Sequence, residues 1–301
     1  MHLAILAAGR PGKGESPSVS EPVIEEIPTA RWTMAVVGVE AAETQVVVGF
    51  KHEEVQESLP DLILRENPDW QVSNSTGSFF CLNLDGIEDL LVTYSDIVFN
   101  KELVDAVREI HSDVVVVWDS SDKIHISNPS QKIEQVVQNG GVVTVSCSST
   151  ELGPGASFFP GLVKFSRTGL ELIKRITPAE KSRLSTFHLS ELVEFLRQQG
   201  ATVQGVEGKS RWARIEEPEE LVRFVLGSKA DTVERLGPLL KKSSIPSSVV
   251  FSVGEWSTAR EEVTNRILST WPTEELVVRS SARAEDSFDE SLAGAFLTRI
   301  G

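Results

Sequence analysis

The sequence is short of cations, of cysteine and of long apolar runs. Its 29 lysines and arginines stand against 44 aspartates and glutamates, a formal net charge of -15. A duplex-binding surface draws its affinity from neutralised phosphates, so no nucleic-acid partner is expected. Small anionic ligands remain open, because a few cations and backbone N–H groups in a cleft can hold a nucleotide. The two cysteines, Cys81 in "SFFCLNL" and Cys147 in "VVTVSC", sit in apolar contexts and are expected to be buried free thiols. No Cys/His cluster has zinc-ligand spacing, and the five histidines are scattered. No stretch approaches membrane-span length, so no membrane partner is expected. The N-terminal apolar run is too short for a signal sequence and lacks a basic lead, which makes cytoplasmic the default expectation. There is no internal repeat and no low-complexity tract.

At 301 residues the chain can form one large domain or two ordinary ones. Strand-like and helical patterns alternate: "HLAILAA", "ARWTMAVVGVEAA", "TQVVVGF", "HEEVQESL", then "DLLVTYSD", "KELVDAVREIH" and "DVVVVWD". Val-rich strands separated by amphipathic helices predict an α/β fold, a mostly parallel sheet with helices on both faces. Ligands of such sheets sit beyond the carboxyl ends of the strands, where Asp96 and Asp119 fall. "QKIEQVVQNGGVVTVSC" reads as a hairpin turned at Gly140-Gly141, an antiparallel flap inserted in the sheet. "GLVKFS", the helix "HLSELVEFLRQQG" stopped by Gly200, and the strand "ATVQGVEG" follow. Beyond them Pro218 suits the first turn of a helix. The pattern then restarts: "GSKADTVERLGPLLKK" is helical, "SSVVFSV" a strand, "TAREEVTNRILSTW" a helix and "ELVVRSSA" a strand. These patterns place a boundary near the Gly/Ser hinge, giving units 1–226 and 227–301.

The first strand runs into "AAGRPGKG", a glycine-rich turn with two cations. It is neither a P-loop, since Ala7 and Gly14 stand where the first Gly and the hydroxyl belong, nor a dinucleotide loop, whose glycine spacing is reversed. A third form, L-A-A-G-x-G-x-[RK], matches at every fixed position but Pro11. It recurs here with "VVVGF" and "HEEV", with "ENPDWQVSNSTGS" leading to "LLVTYSDIVF", and with "GLVKFS" before "RWARIEEPEEL". In that order and spacing, residues 1–226 resemble a sugar-nucleotidyltransferase domain, and in particular the small cytidylyltransferases that act on phosphorylated small molecules. The resemblance implies a Rossmann-like fold and a reaction in which an acceptor phosphate attacks the α-phosphorus of CTP, or another nucleoside triphosphate, and expels pyrophosphate. A phosphate is already nucleophilic at neutral pH, its second pKa being about 6, so positioning and charge neutralisation carry the rate.

By that resemblance Ala8, Gly9, Gly12 and Gly14 would cradle the nucleotide, Lys13 would neutralise the leaving pyrophosphate, and Asp96 and Glu216 would hold Mg²⁺. Lys13 and Asp96 are thus the expected catalytic residues. The pattern also departs from the family. Glu216 replaces an aspartate, Pro22 is followed by Val23 rather than lysine, and Pro11, which has no N–H, takes a glycine's place. A degenerate nucleotide-binding domain that docks or regulates a kinase is the alternative. Asp119 reads equally as a strand-end charge or as a substrate or metal ligand. Asn67 and Asn74 read as exposed loop polarity, with base or ribose contacts as the alternative, and Trp70 and Trp212 as core, with base-stacking platforms as the alternative.

"LVVRSSARAEDSFDESLAGAF" resembles the ATP-binding domain that opens phosphoenolpyruvate synthases and pyruvate phosphate dikinases, and "GSKADTVERL" its opening pattern. The resemblance implies a partial ATP-grasp-type α+β unit in which Lys229 and Arg279 touch ATP phosphates while Glu285 and Asp286 shape the loop. The signature ends close to Gly301. Further kinase domains are therefore expected downstream, and no kinase turnover is expected from these residues alone. Together the two halves resemble the pairing of a glutamine kinase with a phosphoglutamine cytidylyltransferase. A third reading gives the function to the dikinase-like half, with the first half as an appendage.

Overall fold

The computed structural model describes residues 1–12, 16–24, 26–120, 133–139, 142–149, 152–153, 155–208, 211–216, 221–222, 224–225, 247–251, 256–257, 259–272, 276–278 and 299–300. The chain divides into two compact units, Met1–Glu217 and Pro218–Gly301. In the first, β1 (His2–Ala7), β2 (Pro22–Ile24), β3 (Ile27–Pro28), α1 (Thr29–Val37), β4 (Thr44–Val48), α2 (His52–Ser58), β5 (Ile63–Glu66) and α3 (Ser75–Phe79) come first. They are followed by β6 (Leu90–Tyr94), β7 (Ile97–Phe99), α4 (Lys101–Glu109), β8 (Val114–Trp118), β9 (Ile133–Asn139), β10 (Val142–Ser149), β11 (Ala156–Phe158) and β12 (Leu162–Phe165). Then come α5 (Arg167–Lys174), α6 (Pro178–Leu184), α7 (Leu189–Gln198), β13 (Val203–Glu207) and β14 (Trp212–Arg214).

Seven strands form one sheet in the order β13-β8-β12-β6-β1-β4-β5. β1 runs parallel to β4 and β6, and β13 runs parallel to β8. The exception is β12, which is antiparallel to both its neighbours, β6 and β8, so the sheet is mixed but mostly parallel. The continuous apolar strands follow from burial on two faces. Alternate residues of β1 enter different cores: Ala4 and Leu6 join Phe79, Phe165 and Leu192, while Leu3, Ile5 and Ala7 join Met34, Val55 and Leu103. Local signals set the helix ends. The Asn100 side chain accepts from the Leu103 N–H at the start of α4, and Gly200 at φ +96° stops the chain beyond α7.

The expected flap is present, but as a sheet of its own. β9 pairs antiparallel with β10 and with β11 in a three-stranded sheet separate from the main one. Its turn at Gly140-Gly141 lies outside the described residues. A further ribbon, β14 antiparallel to β7, crosses the edge where the main parallel strands end.

In the second unit the described elements are α8 (Arg260–Thr270) and β15 (Val277–Val278), antiparallel to β16 (Arg299–Ile300). The strand expected over "SSVVFSV" is not formed in its described part, residues 247–251. Two serines and a preceding proline make the entry to that part polar, and among the described residues no strand pairs with it. Pro218, Lys229, Arg279, Glu285, Asp286 and the "GSKADTVERL" helix lie outside the described residues. Among the described residues no helix is long and apolar enough to cross a membrane.

Candidate active site

Strands β1 and β6 are parallel neighbours, so both release the chain at the same edge of the sheet. A cleft of about 860 Å³ opens there, and Gly9, Arg10, Gly12, Asp96, Arg214 and Glu216 all line it. This is the position at which open α/β sheets bind ligands.

The two described glycines of the loop after β1 differ in their surroundings. Nothing lies within 4 Å of where a Gly9 side chain would start. At Gly12 a Cβ would meet Glu216 Oε2 at 2.9 Å, and the Gly12 N–H donates to Glu216 Oε1 at 2.9 Å. Ala8 is buried and its carbonyl accepts from the Phe50 N–H at 2.9 Å, which ties the loop to the end of β4. Lys13 and Gly14, the expected catalytic cation and the last loop glycine, lie outside the described residues. Arg10 is the cation that lines the cleft among the described loop residues, and its guanidinium lies 5.6 Å from the Phe50 ring centre. The sequence reading missed it because Arg10 occupies the variable position of the loop motif.

Asp96 and Glu216 meet through the β7–β14 ribbon. The register sets Arg214 opposite Ile97, and the Ile215 N–H donates to the Asp96 carbonyl at 2.9 Å. Burial first, and then the neighbouring Glu216 carboxylate, push the Asp96 carboxyl up to about 6. The Arg214 cation pulls the other way, and Glu134 adds a smaller upward push. Two hard oxygen donors that repel one another fit Mg²⁺, which takes one or two carboxylates and completes its shell with phosphate and water oxygens. Glu216 keeps a carboxylate in the cleft where the resembled pattern has an aspartate.

The remaining expectations fare differently. Asn67 is 3% exposed, not a surface loop residue: its Nδ2 donates to Ser73 Oγ at 3.0 Å and Ser78 Oγ at 3.1 Å, while its Oδ1 accepts from the Asp69 N–H. It builds the wall rather than touching the cleft. Asn74 does line the cleft, and its Nδ2 donates to the Thr186 carbonyl at 2.5 Å. Trp70 and Trp212 pack against the two cores as expected, yet both also line the cleft. Asp119 is 5% exposed and is not among the residues lining the cleft. The Trp212 indole N–H donates to its Oδ2 at 2.7 Å, so this carboxylate holds a wall residue.

Glu134 went unrecognised in the sequence. It sits on β9, is 8% exposed and lines the cleft. Its Oε1 accepts from the Tyr94 hydroxyl at 2.5 Å and its Oε2 from the Ser190 N–H at 2.9 Å, at the start of α7. Tyr94 spends its one proton on Glu134, so Ser75 donates the 2.9 Å bond to the phenol oxygen, and Ser75 Oγ in turn accepts from the Leu189 N–H. Burial, then the Glu134 charge, hold the phenol well above its usual range. The available signal was a lone acid among apolar residues in "KIEQVV".

Both cysteines are free; Cys147 is buried, but Cys81 only half so, with burial raising its thiol pKa. The fold also gathers donor atoms of Cys147, His188 and Glu191 within 4.8 Å of one another, a grouping that no sequence spacing discloses. The Glu191 carboxylate there is engaged by the His188 N–H at 2.8 Å.

No protein-family model and no curated protein sequence matches the chain. Solved structures do. The inositol-1-phosphate CTP transferase from T. maritima is similar at a TM-score of 0.54 and 16% identity, over 75% of this chain and 96% of that one. HddC from Yersinia pseudotuberculosis, complexed with GMP-PN, is similar at 0.53 and 13%, over 74% and 96%. A Bacillus anthracis protein described as a glucose-1-phosphate thymidylyltransferase gives 0.54 and 14%, over 74% and 93%. The mostly parallel seven-stranded sheet, its helices and its loop-bounded cleft are the Rossmann-like fold of these nucleotidyltransferases.

Proposed function

We propose that residues 1–226 catalyse Mg²⁺-dependent transfer of a nucleotidyl group, cytidylyl by preference, from a nucleoside triphosphate to a phosphorylated small molecule. The observation that carries this reading is the convergence of the loop N–H of Gly12, the Asp96 and Glu216 carboxylates and Arg10 on one cleft. In the reaction an acceptor phosphate oxygen forms a bond to the α-phosphorus. The bond from that phosphorus to the bridging oxygen breaks, and pyrophosphate leaves with the electron pair. Nothing needs to remove a proton from the acceptor. Asp96 and Glu216 would hold Mg²⁺, which when bound neutralises phosphate charge. Arg10 and the loop N–H groups orient the triphosphate, with Lys13 expected beside the leaving group. Arg214, whose guanidinium lies 5.7 Å from the Phe158 ring centre, offers a cation on the acceptor's side. These groups position charge rather than exchange protons, which is what phosphoryl chemistry asks of a protein.

The second half of the proposal is that the segment from 227 supplies the opening of an ATP-binding domain of the phosphoenolpyruvate-synthase kind, so that ATP-driven phosphorylation would furnish the acceptor. Its support is the "VRSSARAEDS" signature. Calorimetric titration of CTP, ATP, GTP and UTP with Mg²⁺ into the chain and into Asp96→Ala tests both halves. The first predicts binding led by CTP and lost with Asp96. Binding that survives Asp96→Ala and disappears with Arg279→Ala assigns the nucleotide to the second half instead. Binding without pyrophosphate release supports the degenerate domain.

A further inference from the structure

Glu134 is a buried carboxylate without a permanent counter-charge among the described residues. Buried glutamates are ordinarily paired, because an isolated charge loses its hydration. Here its neighbours are neutral: the Tyr94 hydroxyl at 2.5 Å and the Ser190 N–H at 2.9 Å. Among the described residues the one basic group within 4.0 Å is His188, whose Nδ1 lies 3.9 Å from Oε1, too far for a hydrogen bond and an imidazole rather than a fixed cation. Each carboxylate oxygen can accept twice, so each has capacity for a second donor, and Glu134 lines the cleft.

The surroundings are aromatic. Tyr94 and Phe159 meet edge to face with centres 6.5 Å apart, and Phe158 stacks on Trp212 at 5.7 Å and 14°. All four line the same cleft. Ring faces beside an anion favour a cation twice over, through the ring quadrupole and through direct charge. Glu134 also lies close to the proposed reaction centre, since Tyr94 stands two positions before Asp96 where β6 ends.

We infer that Glu134, walled by Tyr94 and Phe159, receives an ammonium group of the acceptor, so that the acceptor class is a phosphorylated amine rather than a neutral sugar phosphate. The inference rests on the reading of this cleft as a nucleotidyl-transfer site. A hydroxyl would satisfy the hydrogen-bonding positions of Glu134 but leave its charge unmatched. An ammonium satisfies both.

The test uses the full chain with Mg²⁺ and its preferred nucleoside triphosphate, and follows pyrophosphate release. O-phosphoethanolamine, phosphocholine and O-phosphoserine form one panel; glycerol 3-phosphate, glucose 1-phosphate and inositol 1-phosphate form the other. The amine panel should be favoured at least tenfold in kcat/KM. Glu134→Gln keeps size and an acceptor for the Ser190 N–H, and its amide N–H can donate to the Tyr94 oxygen once Tyr94 donates to Ser75, so it should raise KM for amines tenfold or more and erase that preference, with nucleotide affinity in the absence of acceptor unchanged. A preference for polyol phosphates, Glu134→Gln with unaltered selectivity, or nucleotide binding with no acceptor used from either panel overturns the inference while the nucleotide-site reading stands. A wild-type chain that binds no nucleotide overturns both.

Discussion

The Gly12 N–H donates to Glu216 Oε1 at 2.9 Å across 204 residues of sequence, joining the first loop of the fold to the turn after β14. A carboxylate thus accepts from an N–H of the kind that cradles phosphates in such loops. The same side chain is the proposed metal ligand, and the two roles pull nucleotide binding in opposite directions. Without metal, Glu216 competes with the triphosphate for the loop; with metal, it helps to hold it.

Glu216→Ala should therefore separate the two roles. In the presence of chelator the variant should bind the triphosphate several-fold more tightly than the wild type. With saturating Mg²⁺ it should bind at least tenfold more weakly, and pyrophosphate release should fall by about 10² or more, as for loss of one electrostatic contact in a transition state. Calorimetry with and without EDTA checks this. Weaker binding under both conditions would show that Glu216 does not compete for the loop.

Asp96 gives a pH prediction. Its carboxyl is raised from 3.8 to about 6 by burial and by Glu216, so the folded chain holds that proton more tightly than the unfolded one. The stability linked to this group is fully present below about pH 3.8 and is lost as pH rises through about 6. Asp96→Asn removes the penalty and should stabilise the metal-free chain at pH 7.5 by about 1–3 kcal/mol, with little gain at pH 4. Mg²⁺ must displace that proton, so wild-type Mg²⁺ affinity should fall below pH 6. Paired thermal melts at the two pH values decide; an equal shift at both would contradict the assignment.

Gly49, just beyond β4, has no room for a side chain. A Cβ there would lie 2.6 Å from the Trp70 ring and 2.7 Å from the Ala8 carbonyl. The carbonyl cannot retreat without moving the loop. Gly49→Ala should cost about 1–3 kcal/mol, the range for overpacking, and should weaken nucleotide binding although the residue touches no ligand. A variant that loses stability but keeps its affinity would uncouple Trp70 and the loop from the site.

Much of this was legible in the sequence because the signals were local. Apolar runs marked β1, β4, β6 and β8, and the loop motif placed Gly9 and Gly12 at a carboxyl edge. Asp96 and Glu216 could be paired because each lies in its own motif, although only the β7–β14 ribbon explains how they meet. Asn67 was misread for a physical reason: a short polar side chain looks exposed until its partners arrive, here Ser73 and Ser78, and Asp119, left open in the sequence, is a strand-end charge whose partner Trp212 lies far along the chain. Glu134 was invisible for the same reason. Its partners come from β6 and from the start of α7, and no spacing along the chain announces them.

Trp212 and Asp119 supply the last prediction, which separates a structural carboxylate from a catalytic one. The Trp212 indole N–H donates to Asp119 Oδ2 at 2.7 Å, and the ring stacks on Phe158, whose N–H donates to the Asp119 carbonyl at 2.9 Å. Trp212→Phe keeps a ring for the stack but takes a charged hydrogen bond from a carboxylate that is 5% exposed. The cost should be about 1.5–3 kcal/mol. Because Trp212 begins the strand that carries Arg214 and leads to Glu216, kcat should fall with it. Asp119→Asn keeps an acceptor for the indole, so it should cost under about 1 kcal/mol, given what a neutral hydrogen bond retains. Its pyrophosphate release should stay within a few-fold of the wild type. Melting curves and rates on the two variants give opposite patterns for the two roles. If Asp119→Asn leaves stability untouched but abolishes transfer, the carboxylate belongs to the reaction, and the wall has been mistaken for the site.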